Sequence, residues 1–446
     1  MSGASVTAEP PVKGAPRTSE PGAWRKYAIA AGFLAPAAFF LGIWIVYPAI
    51  STIIRSFFDA RGDSFVGIDN YKDLFTTDRT VTAIKNNAIW VLVVPSLVTA
   101  IGLIFGVLTE KVRWSVAFKT AVFMPMAISA FAAGVIWRLV DQKDPELGAL
   151  NAMIAVGKDF VSPPGVLPDA APSTDELTGT PQTGLTLDQD LSPGDIALLG
   201  LTRISNTEIP EDAVQAATPE PLQGGITGVV WRDFKPGGGE PGEVEEEEIG
   251  LPGVTVQLRD ANGGTVATTE TEPDGSFAFS DVEGGTYRAA IGSETFAEPF
   301  EGINWLGPSL ITPSLLIAYT WIWAGFAMVV IAAGLAAIPR DVLEAARTDG
   351  ATEWQVFRRV TVPLLAPVLT VVLVTMFINV LKVFDIVIAL APGSVQDDAN
   401  VIALDMWRTA FGGSLDFGLG SAIAVFLFIL VVPILLLNIR RFRREI

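Results

Sequence analysis

The sequence predicts an all-α polytopic membrane protein of six transmembrane helices, with an all-β sandwich inserted into one extracytoplasmic loop. Three observations carry this. Half of the 446 residues are hydrophobic and only 17% are charged, too apolar a balance for an ordinary soluble chain. The apolar residues gather into six runs, each near the ~20 helical residues that a bilayer core requires. Between the third and fourth runs lies a long stretch whose second part alternates with period two and is punctuated by Gly, Asn and Asp, the pattern of short strands.

The inventory narrows the chemistry. There is no cysteine and no histidine. Disulfide frameworks, thiolate or His-based metal sites and Ser-His triads are excluded. The formal net charge of −18 argues against nucleic acid as a partner, which calls for a basic footprint.

Residues 1–24, rich in Pro, Gly, Ser, Ala and Glu, read as a disordered tail and not as a signal peptide. The first half of the membrane domain, 25–150, holds apolar runs at 27–50, 87–108 and 118–140. The second half, 300–446, holds runs at 310–338, 364–390 and 417–437. Lys13, Arg17, Arg25 and Lys26, then Lys111, Arg113 and Lys119, then Arg340, Arg347, Arg358 and Arg359, then Arg440, Arg441, Arg443 and Arg444 all fall on one face of a six-span protein. The positive-inside rule makes that face, and both termini, cytoplasmic.

The cytoplasmic stretch 341–363 is polar and helix-prone. Asp341 with Glu344, and Thr352 with Gln355, read as capping boxes opening two short helices. Gly350 suits the left-handed residue that ends the first. Val342, Leu343, Ala345, Ala346, Trp354 and Phe357 would be wasted in a solvated linker. The plain alternative is an ordinary connection between spans.

Three segments lie outside. The first, 51–85, contains Phe65, Gly67, Asn70 and Tyr71; the third, 391–416, is rich in Gly and Asp. The second, 141–305, is too long for a mere connection. Residues 151–224 read as irregular linker with one ordered element near 196–204. Residues 225–292 read as a small antiparallel sandwich, with hairpin signals at Asn262-Gly263 and Asp274-Gly275. The acidic run 243–248 reads as a solvated hairpin or a calcium loop. Lys235, the sole lysine there, leaves little scope for an isopeptide bond.

Asn379, Lys382 and Asp385 recur at three-residue spacing in the fifth run, which places them on one helix face. Ionisable groups inside a span cost roughly 2.5–3.5 kcal/mol each and usually face a polar interior. They line a substrate pathway, or Lys382 and Asp385 pair within the helix. Trp321 and Trp323 either stack on a sugar ring or serve packing and the interface.

Glu344-Ala345-Ala346, Gly350 and the Val360-Thr361-Val362-Pro363 ending resemble the EAA loop of ABC importer permeases. The family ends Ile-x-Leu-Pro, so Val360 and Val362 are conservative departures. Residues 65–71, 125–137, 148–151, 384–388 and 418–425 extend the resemblance to the maltose-type sugar permeases, and 382–387 looks α-glucoside-like. The insertion resembles Cna-B or SdrD-B-like repeats at Gly228 to Trp231, Leu251 to Val254, Asp274 to Phe277 and Gly285 to Tyr287.

The resemblance implies a type I ABC importer permease fold, in which Glu344, Ala345, Ala346, Gly350 and Pro363 belong to a coupling surface for a separate ATPase. Glu344 would either offer its carboxylate to that partner or cap its own helix. The implied partners are a second permease subunit, two ATP-binding subunits and an extracytoplasmic sugar-binding protein. The sandwich is not the family's usual outer loop, so the resemblance assigns it no role; the expectation here is a docking platform for the binding protein. The chain has no G-x-x-x-x-G-K-[ST], so it is expected to be no enzyme itself, to carry no cofactor, and to leave ATP-Mg to the partner. The competing reading is a membrane-anchored adhesion or sensory protein that works through the sandwich.

Overall fold

The structure, a computed structural model, describes residues 23–110 and 113–442, and side chains at 27–110 and 113–433. Most of the expected tail, and Lys13, Arg17, Lys111, Arg443 and Arg444, lie outside the described residues; Ala23 and Trp24 open the first helix. The chain divides into two compact units, one of Met1–Gly134 with Leu315–Ile446, the other Val135–Ser314.

Helix α1 (Ala23–Leu41) passes through a π-helical turn, Gly42–Val46, into α2 (Tyr47–Arg55). The amide of Tyr47 reaches the carbonyl of Gly42, and Pro48 follows directly. Proline lacks an amide hydrogen and its ring crowds the carbonyl four residues back, so a locally widened turn relieves both problems. Next come α3 (Asp69–Thr76), α4 (Asp78–Glu110), α5 (Ser115–Phe123) and α6 (Ala130–Val140). The third apolar run is not one straight rod. It bends by 103° between Ser115–Ala127 and Ala130–Val140, with Pro125 in the 3-10 turn at the break.

The second unit begins its own structure with α7 (Ala149–Val161). Ten strands follow among the described residues: β1 (Ala171–Pro172), β2 (Leu177–Thr180), β3 (Gly184–Leu187), β4 (Ile196–Thr202), β5 (Ile226–Arg232), β6 (Ile249–Gly250), β7 (Thr255–Asp260), β8 (Thr265–Glu270), β9 (Ser276–Phe279) and β10 (Tyr287–Ile291). One sheet runs β1-β4-β5-β6 with β9 also on β5; the other runs β2-β3-β10-β7-β8.

This corrects three expectations. Much of 151–224 is no linker: α7 and β1 to β4 lie there, and Leu167, Leu177, Leu185, Leu199 and Leu201 share one buried core with Val230, Val256, Phe277 and Ile291. The sandwich is not purely antiparallel, because β4 and β5 pair in parallel. Asn262-Gly263 does join the paired strands β7 and β8, but Asp274-Gly275 turns the chain from β8 in one sheet to β9 in the other.

The helical unit resumes with α8 (Ile311–Ala336), α9 (Arg340–Thr348), α10 (Glu353–Val356), α11 (Val362–Leu381), α12 (Asp385–Leu390), α13 (Ile402–Ala410) and α14 (Phe417–Phe442). Among the described residues, four helical stretches are long and apolar enough to cross a bilayer, five with the bent pair, and Phe417–Pro433 is a shorter apolar one. Helices α4 and α8 approach closely where Gly102 faces Ala327; a Cβ on Gly102 would sit 2.5 Å from that of Ala327. Small residues are what allow membrane helices this contact.

A helix–turn–helix surface and a broken fifth helix

Helix α9 ends as its sequence suggests. Asp349 is the C-cap, and Gly350 takes a φ of +84°. The Gly350 amide donates to Arg347 O at 3.0 Å and the Ala351 amide to Ala346 O at 3.1 Å, the paired bonds of a Schellman motif. Helix α10 opens with the Thr352–Gln355 capping box, both of whose bonds are formed. Arg347 then clasps Glu353 across the turn with two bonds, Nε to Oε1 at 2.8 Å and Nη2 to Oε2 at 3.3 Å. The two short helices are therefore one braced unit.

The first capping box does not form. Pro339 is the N-cap of α9 and no side chain caps it. Asp341 lies inside the first turn, where a carboxylate still favours the positive end of the helix dipole. Glu344 is likewise no cap, and its carboxylate makes no hydrogen bond among the described residues. Glu344 and Ala345 are exposed and Ala346 half-buried. Trp354 is 66% exposed and stacks on Phe357, with centroids 5.5 Å apart.

Helix α10 is also no separate surface helix. It continues through a π-helical turn, Phe357–Thr361, into α11 without a break, giving a single helix Glu353–Leu381. Pro363 follows this turn as Pro48 follows the earlier one. Beside the brace, Glu110, Lys119, Arg340, Arg347 and Glu353 line a cavity of about 550 Å³.

Asn379, Lys382 and Asp385 do not share one helix face. Helix α11 stops at Leu381, Lys382 is its C-cap, and Phe384 turns with φ −148° and ψ −59° before Asp385 opens α12. Asn379 is half-buried, with Nδ2 donating to Thr375 O at 3.1 Å. Lys382 and Asp385 are exposed and form no ion pair among the described residues. Trp323 lies tilted against Tyr319 and meets Phe326 edge-on, which is packing. Trp321 is partly exposed and engaged in a further contact.

Sequence reasoning missed a buried polar network. Asp405 is fully buried and accepts from Arg79 Nε at 2.6 Å and Thr80 Oγ1 at 2.7 Å. Arg79 also donates to Thr409 Oγ1. Asn86 donates to the carbonyls of Asp398 and Asn400, and Asn87 accepts the Ile402 amide. Together they fasten α13 and the segment before it to the first turns of α4. The polar triplet Lys85-Asn86-Asn87 heading an apolar run was the available signal. Asn70, by contrast, sat in a motif already noted; its Nδ2 holds the carbonyls of Ser56 and Phe58 at 2.8 Å.

These features define a helical membrane protein with a braced surface loop and a separate β-sheet unit. Residues 278–443 match the family described as binding-protein-dependent transport system inner membrane component, and 224–298 match the SdrD B-like domain. The start of the first match overlaps strands β9 and β10, which belong to the sandwich. The chain is 28% identical over 93% of its length to the osmoprotective compounds uptake permease protein GgtC of Synechocystis sp., covering 98% of that protein. It is 29% identical over 93% of its length to the alpha-glucoside transport system permease protein AglF of Rhizobium meliloti, covering 82%. A putative ABC transporter permease of Caldicellulosiruptor sp. is 32% identical over 28% of this chain and 88% of its own. Among solved structures, a bacterial ABC transporter involved in alginate import aligns over 94% of this chain and 96% of its own, with a TM-score of 0.54 at 16% identity; that likeness concerns the fold alone.

The chain belongs to the family of inner membrane components of binding-protein-dependent transport systems. A surface adhesin or sensor would have needed neither the braced loop nor this membership.

Proposed function

We propose that this chain is a permease subunit of an ATP-driven sugar importer of the type I fold, taking up an oligosaccharide or an α-glucoside. It crosses the membrane six times, with the bent pair counted once and α14 as the last span, and both termini are cytoplasmic. A second permease subunit, two ATP-binding subunits and an extracytoplasmic sugar-binding protein complete the assembly. ATP-Mg binds and is hydrolysed on the partner subunits.

The observation that carries this reading is the continuity of the braced loop with a membrane helix. Helices α9 and α10 are locked to one another by the Schellman turn, the capping box and the Arg347–Glu353 clasp. Helix α10 runs into α11 without interruption. A push on Glu344, Ala345 and Trp354 by an ATPase therefore moves the span itself instead of being absorbed by a slack loop. Ala345 and Ala346 allow close approach, Gly350 permits the reversal, and Pro363 sets the widened turn at the joint.

The break between α11 and α12 is where we place the substrate. Non-helical backbone at membrane depth is tolerated where it is buried in protein or lines a watery cavity. Asn379 lies just before the break, Lys382 within it and Asp385 just after, so all three offer polar groups there though not on one helix face. Asn379→Leu and Asp385→Leu should lower sugar uptake while leaving assembly intact; normal uptake would remove them from the pathway.

Co-purification of an ATP-binding subunit, lost in Gly350→Pro, tests the coupling surface. Sugar-dependent stimulation of ATPase activity in the reconstituted complex tests the whole reading, and a complex whose ATPase ignores every sugar and sugar-binding protein supplied would refute it.

A further inference from the structure

Helix α7 is amphipathic the wrong way round for a helix in water. Ala149, Met153, Val156 and Phe160 fall at i, i+4, i+7 and i+11, one apolar stripe along the helix. That stripe faces away from the protein: Met153 is 74% exposed, Val156 72% and Phe160 92%. The opposite side carries half-buried Leu150, Ile154 and Ala155 around one polar anchor. Asn151 is fully buried, its Nδ2 facing the carbonyls of Gln142, Lys143 and Ile303 at 2.8, 3.0 and 2.9 Å. Its Oδ1 accepts from the Ile303 amide at 2.9 Å and from Trp305 Nε1 at 3.3 Å. Lys158, one heptad on from Asn151, lies 4.9 Å from the Phe300 ring centroid.

The anchoring says what covers the stripe. Gln142 and Lys143 come directly after α6 ends at Val140, and Ile303 and Trp305 come shortly before α8 begins at Ile311. Asn151 thus pins the first turn of α7 to the point where both membrane helices emerge. This is the depth of the headgroup–acyl boundary, where an aromatic such as Trp305 is at home. Helix α6 presents exposed apolar residues of its own up to that point, Val135, Ile136 and Leu139, and Leu147 stands exposed between the two helices. The stripe contains no charged residue.

We propose that α7 lies in the membrane interface, with Met153, Val156 and Phe160 buried among lipid acyl chains, as an interfacial amphipathic helix. The proposal requires only that α6 and α8 cross a bilayer, and holds whatever the substrate.

The chain contains no cysteine, so single cysteines can be labelled without a background from it. Nitroxide labels at Met153→Cys, Val156→Cys, Phe160→Cys and, on the flank, Asp159→Cys would be read in the full chain, together with the subunits that co-purify with it, in phosphatidylcholine bilayers. All four sites are exposed, so folding is not at stake. Relative to the Asp159 label, the three stripe labels should collide several-fold more with dissolved oxygen and several-fold less with a water-soluble nickel chelate. Equal access of the chelate to all four would place the stripe in water. Stripe labels reached by neither reagent would mean that protein covers it. Either result overturns the proposal.

Discussion

Gly350 is the residue on which the proposed coupling surface turns. Its φ of +84° costs a residue with a Cβ roughly 1–2 kcal/mol, and no neighbouring atom lies within 4 Å of where a Cβ would sit. Strain alone is therefore at issue. Gly350→Ala should weaken retention of the ATP-binding subunit several-fold in a pull-down, and Gly350→Asn should largely restore it, since Asn tolerates the left-handed region. Equal retention by all three would separate the turn from docking. A second residue tests the sandwich. Glu248 is buried beside Trp231, and that burial raises its carboxyl above the ordinary 4.5, opposed by the bond from the Glu245 amide. A raised folded value favours the protonated form. Stability from this group is full below the ordinary value and is lost as pH rises through the raised one. Glu248→Gln keeps the acceptor and removes the titration. Its thermal midpoint should exceed the parent's at neutral pH and converge with it on acidification; a constant gap would disprove the burial argument. The local signals here were legible from the sequence: Gly350 and the Thr352–Gln355 box need only their neighbours in the chain. The Asp341 box failed because Pro339 had already taken the capping position. The shared face of Asn379, Lys382 and Asp385 failed because no Gly or Pro marks the break at Val383-Phe384, and periodicity presumes a helix that continues.

At the scale of elements, the sandwich is entered and left at one place. The Gly165 amide donates to Ala297 O at 2.8 Å and the Leu167 amide to Thr295 O at 3.0 Å. Removing 166–296 should therefore join two points that already touch and leave a membrane unit that inserts and retains its ATP-binding subunit. Removing only 225–292 should do worse. It would strip β5 to β10 from β1 to β4 and expose Leu177, Leu185, Leu187, Leu199 and Leu201, all buried in the shared core. The expected readout is aggregation of the shorter deletion and a monodisperse peak for the longer one; the reverse order would return β1 to β4 to the status of linker. Their membership was hidden for a physical reason. Strands β1 to β3 have two, four and four residues, too short to develop period two, and carry Pro, Gly and Thr like the turns around them. Helix α7 shares the difficulty: its stripe is helical in spacing, but the composition beyond it dilutes the signal. Strand β4 alone was long enough to stand out, and its parallel pairing with β5 is a long-range fact that no local pattern encodes.

For the whole molecule, the apolar runs and the family motif carried most of the reading, because bilayer thickness and loop spacing are written directly in the sequence. Bends were less visible: Pro125 breaks one run, while Pro48 and Pro363 are accommodated without a break. That accommodation has a further consequence. A π-helical turn is, in register, an α-helix carrying one inserted residue. At Phe357–Thr361 that residue is taken up within a single wider turn, so the braced loop keeps about the azimuth around the axis of α11 that an uninterrupted helix would give it. Deleting Val360 and letting the turn close to regular geometry should therefore leave Glu344 and Trp354 facing as before, and the ATP-binding subunit should still co-purify. Loss of that subunit would show that the wide turn is itself part of the joint. The turn is then slack held in reserve, a place where the helix can gain or lose a residue without twisting what it carries.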